Sequence, residues 1–127
     1  HEVTRRVIAQ GRSYSALDVF GAMYRLQDLK RDCDAVWQHA EALVVPTTGT
    51  IYRRDEIAAN PVALNTNLGY YTNFVNLLDL CAIAVPTGFR ADGLPAGVTL
   101  IAPAFADSLL CGLGRAWLPF PGEHVAL

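Results

Sequence analysis

Thr47, Thr48, Thr72, Asn73, Asn76 and Asp79 are polar residues set in otherwise apolar stretches of the chain. Hydroxyls, carboxamides and carboxylates in such surroundings either bind a small polar ligand or tie the backbone down by hydrogen bonds. Thr47 and Thr48 directly follow the apolar run Ala42-Leu43-Val44-Val45-Pro46, and α/β proteins place binding loops at strand ends. Thr72-Asn73 opens a helical stretch, so either residue also fits as its N-cap. Asn76 and Asp79 fit as ties between neighbouring loops. Tyr70 and Tyr71 could be pocket wall or core, and we read them as core.

Other reactive residue types lack the spacing their chemistry needs. Ser13 and Ser15 precede a helix without a Gly-x-Ser-x-Gly or Ser-x-x-Lys pattern, so capping is the better role. His1, His39 and His124 are scattered and match no metal-ligand spacing. Cys81 adjoins an apolar run and has no charged neighbour to lower its pKa. Gly88, Gly93 and Gly97 do not precede Lys-Ser/Thr and open no helix, so they read as turn glycines rather than a phosphate loop. Arg53-Arg54-Asp55-Glu56 reads as a solvated run. The chain's one lysine, Lys30, falls on the polar side of a helical pattern.

The elements that must position these groups follow from periodicity. Residues 2–10 form a short helix that stops at Gly11. Ser15-Ala16-Leu17-Asp18 fits a capping box, opening an amphipathic helix to about His39, with Leu17, Phe20, Tyr24, Val36 and Trp37 recurring on its apolar side. Ala42–Pro46 has no polar alternation, so it reads as a central strand covered on both faces. Short helices follow over 55–60 and 62–68, then a helix over 72–80. Strands are expected over 82–85 and 97–101 on either side of an Asp-Gly turn, then a helix over 106–117. Helices alternating with apolar strands give an α/β class.

The chain has 127 residues, 52% hydrophobic and 17% charged. A small intact domain exposes a large share of its residues and carries more charge than this. The apolar excess and the unpartnered strands therefore call for strands or a partner surface supplied from outside these residues. A net charge of −2 and a pI near 5.8 give no support for nucleic-acid or polybasic membrane binding. No apolar run approaches the ~18–20 residues of a membrane span. Cys33, Cys81 and Cys111 are odd in number and widely spaced, as reduced core cysteines of a cytoplasmic protein would be. The start at His1, without Met, leads us to expect a processed or truncated chain.

Three stretches carry a resemblance: GRSYSALDVFGAMYRLQDLKR, ALVVPTTGTIYRRDEIAANPVALNTNLGYYTNFVNLLDLCAIAVPTGF and RADGLPAGVTLIAPAFADSLL. The last is similar to the GLPxGVQLIG…F.D..L ending of the amidase-signature hydrolases. The middle one resembles the amidase domain of allophanate hydrolases in particular, with the A subunit of tRNA-dependent amidotransferases as the nearest rival. The resemblance runs over residues 3–117. It implies that 1–117 is the C-terminal part of an amidase-signature α/β/α fold with a mixed β-sheet core, and that 118–127 is an irregular tail. It implies amide hydrolysis by a Ser–cis-Ser–Lys triad through an acyl-enzyme, with no metal or organic cofactor. The Gly-Gly-Ser-Ser-Gly-type stretch is not in this chain, nor is the Tyr-x-Gly-Pro-Trp-x-x-x-Arg substrate stretch, and Lys30 does not match the catalytic lysine. No residue of this chain is therefore assigned a catalytic role. The resemblance does place Thr72, Asn73 and the loop Thr47-Thr48-Gly49 at the substrate pocket. The partners it implies are a small amide substrate, the remainder of the amidase domain and a second copy in a homodimer. A non-catalytic binding or dimerisation module is the alternative from a different class.

Overall fold

The computed structural model describes residues 2–117. The tail expected over 118–127, with His124, and the terminal His1 lie outside the described residues. Helix α1 (Glu2–Gln10) runs into a 3-10 turn at Gly11–Ser13 and then into α2 (Ala16–Asp34), which tightens to a 3-10 turn over Ala35–Gln38. The capping box forms as its sequence implies. The Asp18 amide donates to Ser15 Oγ at 3.2 Å, and the Ser15 amide donates back to Asp18 Oδ2 at 2.8 Å. Bonds from the Ser15 hydroxyl and then from its backbone N–H hold the Asp18 carboxyl below the usual carboxylate range.

The apolar side of α2 is largely open. Leu17 is 83% exposed, Phe20 56% and Tyr24 69%, so this stripe has no partner among the described residues. Lys30 fastens α2 to the rest of the chain. Its ammonium donates to the Leu78 carbonyl at 3.0 Å and lies 3.6 Å from the Asp79 carboxylate. Lys30 is thus a structural tie rather than a purely solvated charge.

Strand β1 (Leu43–Pro46) leads into the loop 47–53 and the short helices α3 (Arg54–Ala59) and α4 (Pro61–Leu68). Pro61 is the first residue of α4, where its fixed φ and missing N–H are tolerated. Helix α5 covers Asn73–Leu77, shorter than the 72–80 its sequence predicts. Asp79 takes a left-handed φ of 57° and turns the chain into strand β2 (Leu80–Phe89).

Strand β2 pairs antiparallel with β3 (Pro95–Pro103), and β1 pairs antiparallel with the other edge of β3, giving the order β1-β3-β2. The Pro-Thr-Gly segment after Val85 does not end the strand. It forms a bulge between Pro86 and Gly88, with Gly88 at φ 118°, and β2 continues to Phe89. The Asp-Gly turn joins β2 to β3 as expected, with Gly93 at φ 79° and its amide donating to the Arg90 carbonyl at 2.9 Å.

Helix α6 (Asp107–Trp117) packs Leu110 and Gly114 onto one face of the sheet. Val85, Leu100, Ala102 and Leu110 make the core cluster, supported by Ile83, Val98 and Ala106. The α/β class holds, but two strand expectations are corrected. Within this sheet β1 is an edge strand, not a central one. It is also not covered on both faces, since Val44 is half exposed. Apolar composition demands cover, yet no element among the described residues provides it on that side.

Candidate functional site at the end of the first strand

Two open grooves flank the loop that follows β1. The first, of about 450 Å³, is lined by Thr47, Thr48, Thr50, Arg90 and Gly97 over an apolar floor that includes Ala84 and Pro86. The second, of about 280 Å³, is lined by Gly49, Thr50, Asn67, Tyr70 and Tyr71. Pairing of β1 with β3 fixes where this loop starts, because the Thr47 amide donates to the Gly97 carbonyl at 3.2 Å. A hydroxyl pair locks the same point: Thr99 Oγ1 donates to Thr47 Oγ1 at 3.0 Å. Thr99 is only 5% exposed, so without Thr47 its hydroxyl would be a buried polar group lacking this partner. The Thr48 hydroxyl donates to the Thr50 carbonyl at 3.0 Å and shapes the loop from within.

The loop thus divides its residues between the grooves, Thr47 and Thr48 to the first and Gly49 to the second. Thr72 and Asn73 line neither. Thr72 occupies the cap position of α5 without a side-chain cap bond, so its expected capping role is not seen. The backbone amides of Thr72 and Asn73 both donate to the Gly69 carbonyl, at 2.9 and 2.7 Å. The Asn73 carboxamide fills the space where a Cβ on Gly69 would project. Asp79 does not bond a neighbouring loop as expected; its exposed carboxylate faces Lys30 of α2 across 3.6 Å.

Sequence reasoning missed or misplaced several residues. Tyr70 and Tyr71 form a groove wall rather than core. Tyr70 is 72% exposed, and the two rings meet edge to face with centroids 5.1 Å apart. Asn67 bonds the Tyr52 hydroxyl behind them. Arg90 was missed because it looks like a plain turn residue, and only the hairpin register carries it to the groove. Gly97 is not a turn glycine. It lies in β3 where a Cβ would come 3.0 Å from the Val85 carbonyl oxygen and 3.5 Å from Thr47 Oγ1.

The remaining reactive groups are engaged in structure. The Ser13 hydroxyl donates to the Gln10 carbonyl at 2.7 Å, and Ser15 caps α2. The Cys81 thiol points to the Pro103 carbonyl, with 3.0 Å between sulfur and oxygen. Cys111 is exposed, contrary to its reading as a core cysteine. No group of three or more His, Cys, Asp or Glu among the described residues could hold a metal ion. No helix among the described residues is long and apolar enough to cross a membrane.

Known proteins share both this sequence and this geometry. The family model described as Amidase matches residues 1–111. The chain belongs to the amidase family. It is 41% identical over 111 residues to the urea amidolyase of Lachancea kluyveri, a match covering 87% of this chain and 6% of that protein. Its structure resembles the crystal structure of the K. lactis urea amidolyase with a TM-score of 0.89 and 37% identity, over 95% of this chain and 7% of the other. It also resembles the A subunit of the glutamyl-tRNA(Gln) amidotransferase of Thermotoga maritima, with a TM-score of 0.71 and 30% identity, over 91% of this chain and 26% of that one. This amidase chain therefore spans a small part of the length of each relative, and the likeness to urea amidolyase is the stronger one.

Proposed function

We propose that residues 1–117 are the C-terminal part of an amidase domain of the allophanate-hydrolase kind, contributing scaffold and one wall of the substrate pocket. The whole protein would hydrolyse allophanate to ammonia and carbon dioxide in urea degradation. The observation that carries this is the TM-score of 0.89 at 37% identity to a urea amidolyase over nearly the whole chain. Thr47, Thr48 and Gly49 would face the pocket from the end of β1. Thr72 and Asn73 would act from the start of α5, where their backbone bonds to Gly69 set the approach of the Tyr70–Tyr71 wall.

The chemical steps fall to groups outside this chain. A Ser–cis-Ser–Lys mechanism needs a lysine free to take a proton. Lys30 is instead held by the Leu78 carbonyl and the Asp79 carboxylate. The remainder of the amidase domain would supply the triad and cover the open faces of β1 and α2. Unpaired cysteines suit a reducing compartment such as the cytoplasm, and a homodimer of the whole protein is part of the same proposal.

Assaying the 127-residue chain alone for ammonia release from allophanate tests the division of labour. The expected result is no turnover above background. Robust turnover by the isolated chain would place a catalytic centre inside it and end the proposal.

A further inference from the structure

Helix α2 carries its partly covered residues on one line. Leu26, Lys30 and Cys33 recur at helical spacing, and Lys30 on that line reaches the Leu78 carbonyl. Roughly half a turn around the same helix lie Leu17, Gly21, Tyr24 and Asp28, all exposed. Their spacings alternate between four and three residues, which is the seam of a helix pair. Phe20 borders this line and is exposed too. A Cβ on Gly21 would meet nothing within 4 Å, so the middle of the seam is a gap that a facing side chain can enter.

Charge decides what fits this face. Asp18 directly follows Leu17 and Arg25 directly follows Tyr24, so both flank the seam on the same side, one before Gly21 and one after it. Both bonds that Asp18 accepts from Ser15 use Oδ2, which leaves Oδ1 for a partner. Arg25 is exposed, and no ion pair engages it among the described residues. In an antiparallel helix pair like flanks meet, so each Asp18 would lie opposite the other copy's Arg25. A parallel pair would set this flank against Phe20 and Gln27, which carry no charge. We propose that α2 pairs antiparallel with α2 of a second copy of this chain, with Gly21 near the two-fold axis. Such an isologous contact needs a self-complementary face. Leu17, Phe20 and Tyr24 with two crossed Asp18–Arg25 pairs provide one. The inference goes beyond the amidase reading and does not depend on it. The remainder of an amidase domain would claim the same face of α2, so the pairing belongs to this chain in the absence of that remainder.

The experiment is sedimentation equilibrium of the full 127-residue chain over a range of concentrations, under reducing conditions so that the exposed Cys111 forms no disulfide. A reversible monomer–dimer equilibrium is expected. Arg25→Glu places a glutamate opposite each Asp18 and should weaken the dimer about tenfold, the scale of two exposed ion pairs. Gly21→Glu brings two like charges together at the axis and should weaken it further. At that open position glutamate is a better helix former than glycine, so the monomer should keep its fold, which circular dichroism checks. Arg54→Glu makes the same charge change on α3, away from the seam, and should leave the dimer unchanged. A chain that stays monomeric at every concentration overturns the pairing. So does a dimer that Arg25→Glu and Gly21→Glu leave intact, or one that Arg54→Glu weakens as much. These readouts need neither turnover nor an upstream part, so their failure removes this inference and leaves the amidase proposal to its own test.

Discussion

Asp79 joins two elements through a backbone conformation that most residue types avoid. Its φ of 57° lets α5 end and β2 begin within two residues, while its carboxylate faces Lys30. Aspartate tolerates the left-handed region better than most residues, and a β-branched side chain does not. Asp79→Val should therefore destabilise the chain by about 1–2 kcal/mol. Asp79→Gly should fall near neutral, since relief of strain offsets a weak, exposed ion pair. Denaturant midpoints of the two variants check the order. The cap of α2 gives a second residue-scale test. Ser15→Ala should cost about 1 kcal/mol. Because the folded Asp18 pKa is lowered, its contribution is present above the ordinary carboxylate value and fades as pH falls through the lowered one. The parent should lose this increment of stability on acidification, and Asp18→Asn should lack that dependence. Equal acid sensitivity of parent and variant in paired urea melts would contradict the role given to this carboxylate. Ser15 and Asp18 were legible in the sequence because a capping box is local. Arg90 and the Thr47–Thr99 pair were not, because they meet only through strand register.

Among the elements, the β2–β3 hairpin sets the geometry of the first groove. Gly97 lies across from Pro86, next to the bulge, and the Val85 carbonyl sits where its side chain would be. Gly97→Ala should force apart two strands through a backbone contact that cannot rotate away, so it should destabilise the hairpin and disturb Thr47 with it. Gly114→Ala is the control, since its Cβ would make ordinary contacts with Val85 and Ile83. Leu100→Ala removes a side chain only 2% exposed and should cost about 2–5 kcal/mol. Thermal melts of the three variants should rank Leu100→Ala and Gly97→Ala well below Gly114→Ala. The helices and strands themselves were largely readable from apolar periodicity. The single long β2 was not, because Pro-Thr-Gly reads as a terminator until a bulge is seen to absorb it. The apolar run of β1 announced burial correctly but not its location, since composition cannot say which element provides the cover.

At the scale of the whole molecule, the core is small for the amount of apolar surface. Buried side chains gather around Leu100, Ile101 and Leu110, while Leu17, Phe20, Met23 and Tyr24 of α2 stay more than half exposed. Open strand edges and an open apolar stripe are features that isolated domains normally avoid. This is the physical counterpart of a chain that matches 6% of the length of a urea amidolyase. The family was legible because the stretches around α5, β2 and β3 are distinctive. The triad of the proposed mechanism was not legible, because the motifs the resemblance implies for it are not in this sequence. The most direct measurement is reconstitution: this chain co-expressed with the upstream part of a urea amidolyase amidase domain, then assayed for ammonia release from allophanate. A co-purifying complex that turns over allophanate, with neither part active alone, is the predicted result. Failure to form a complex, with the 127-residue chain remaining folded and monomeric by itself, would contradict the account and leave a free-standing module instead.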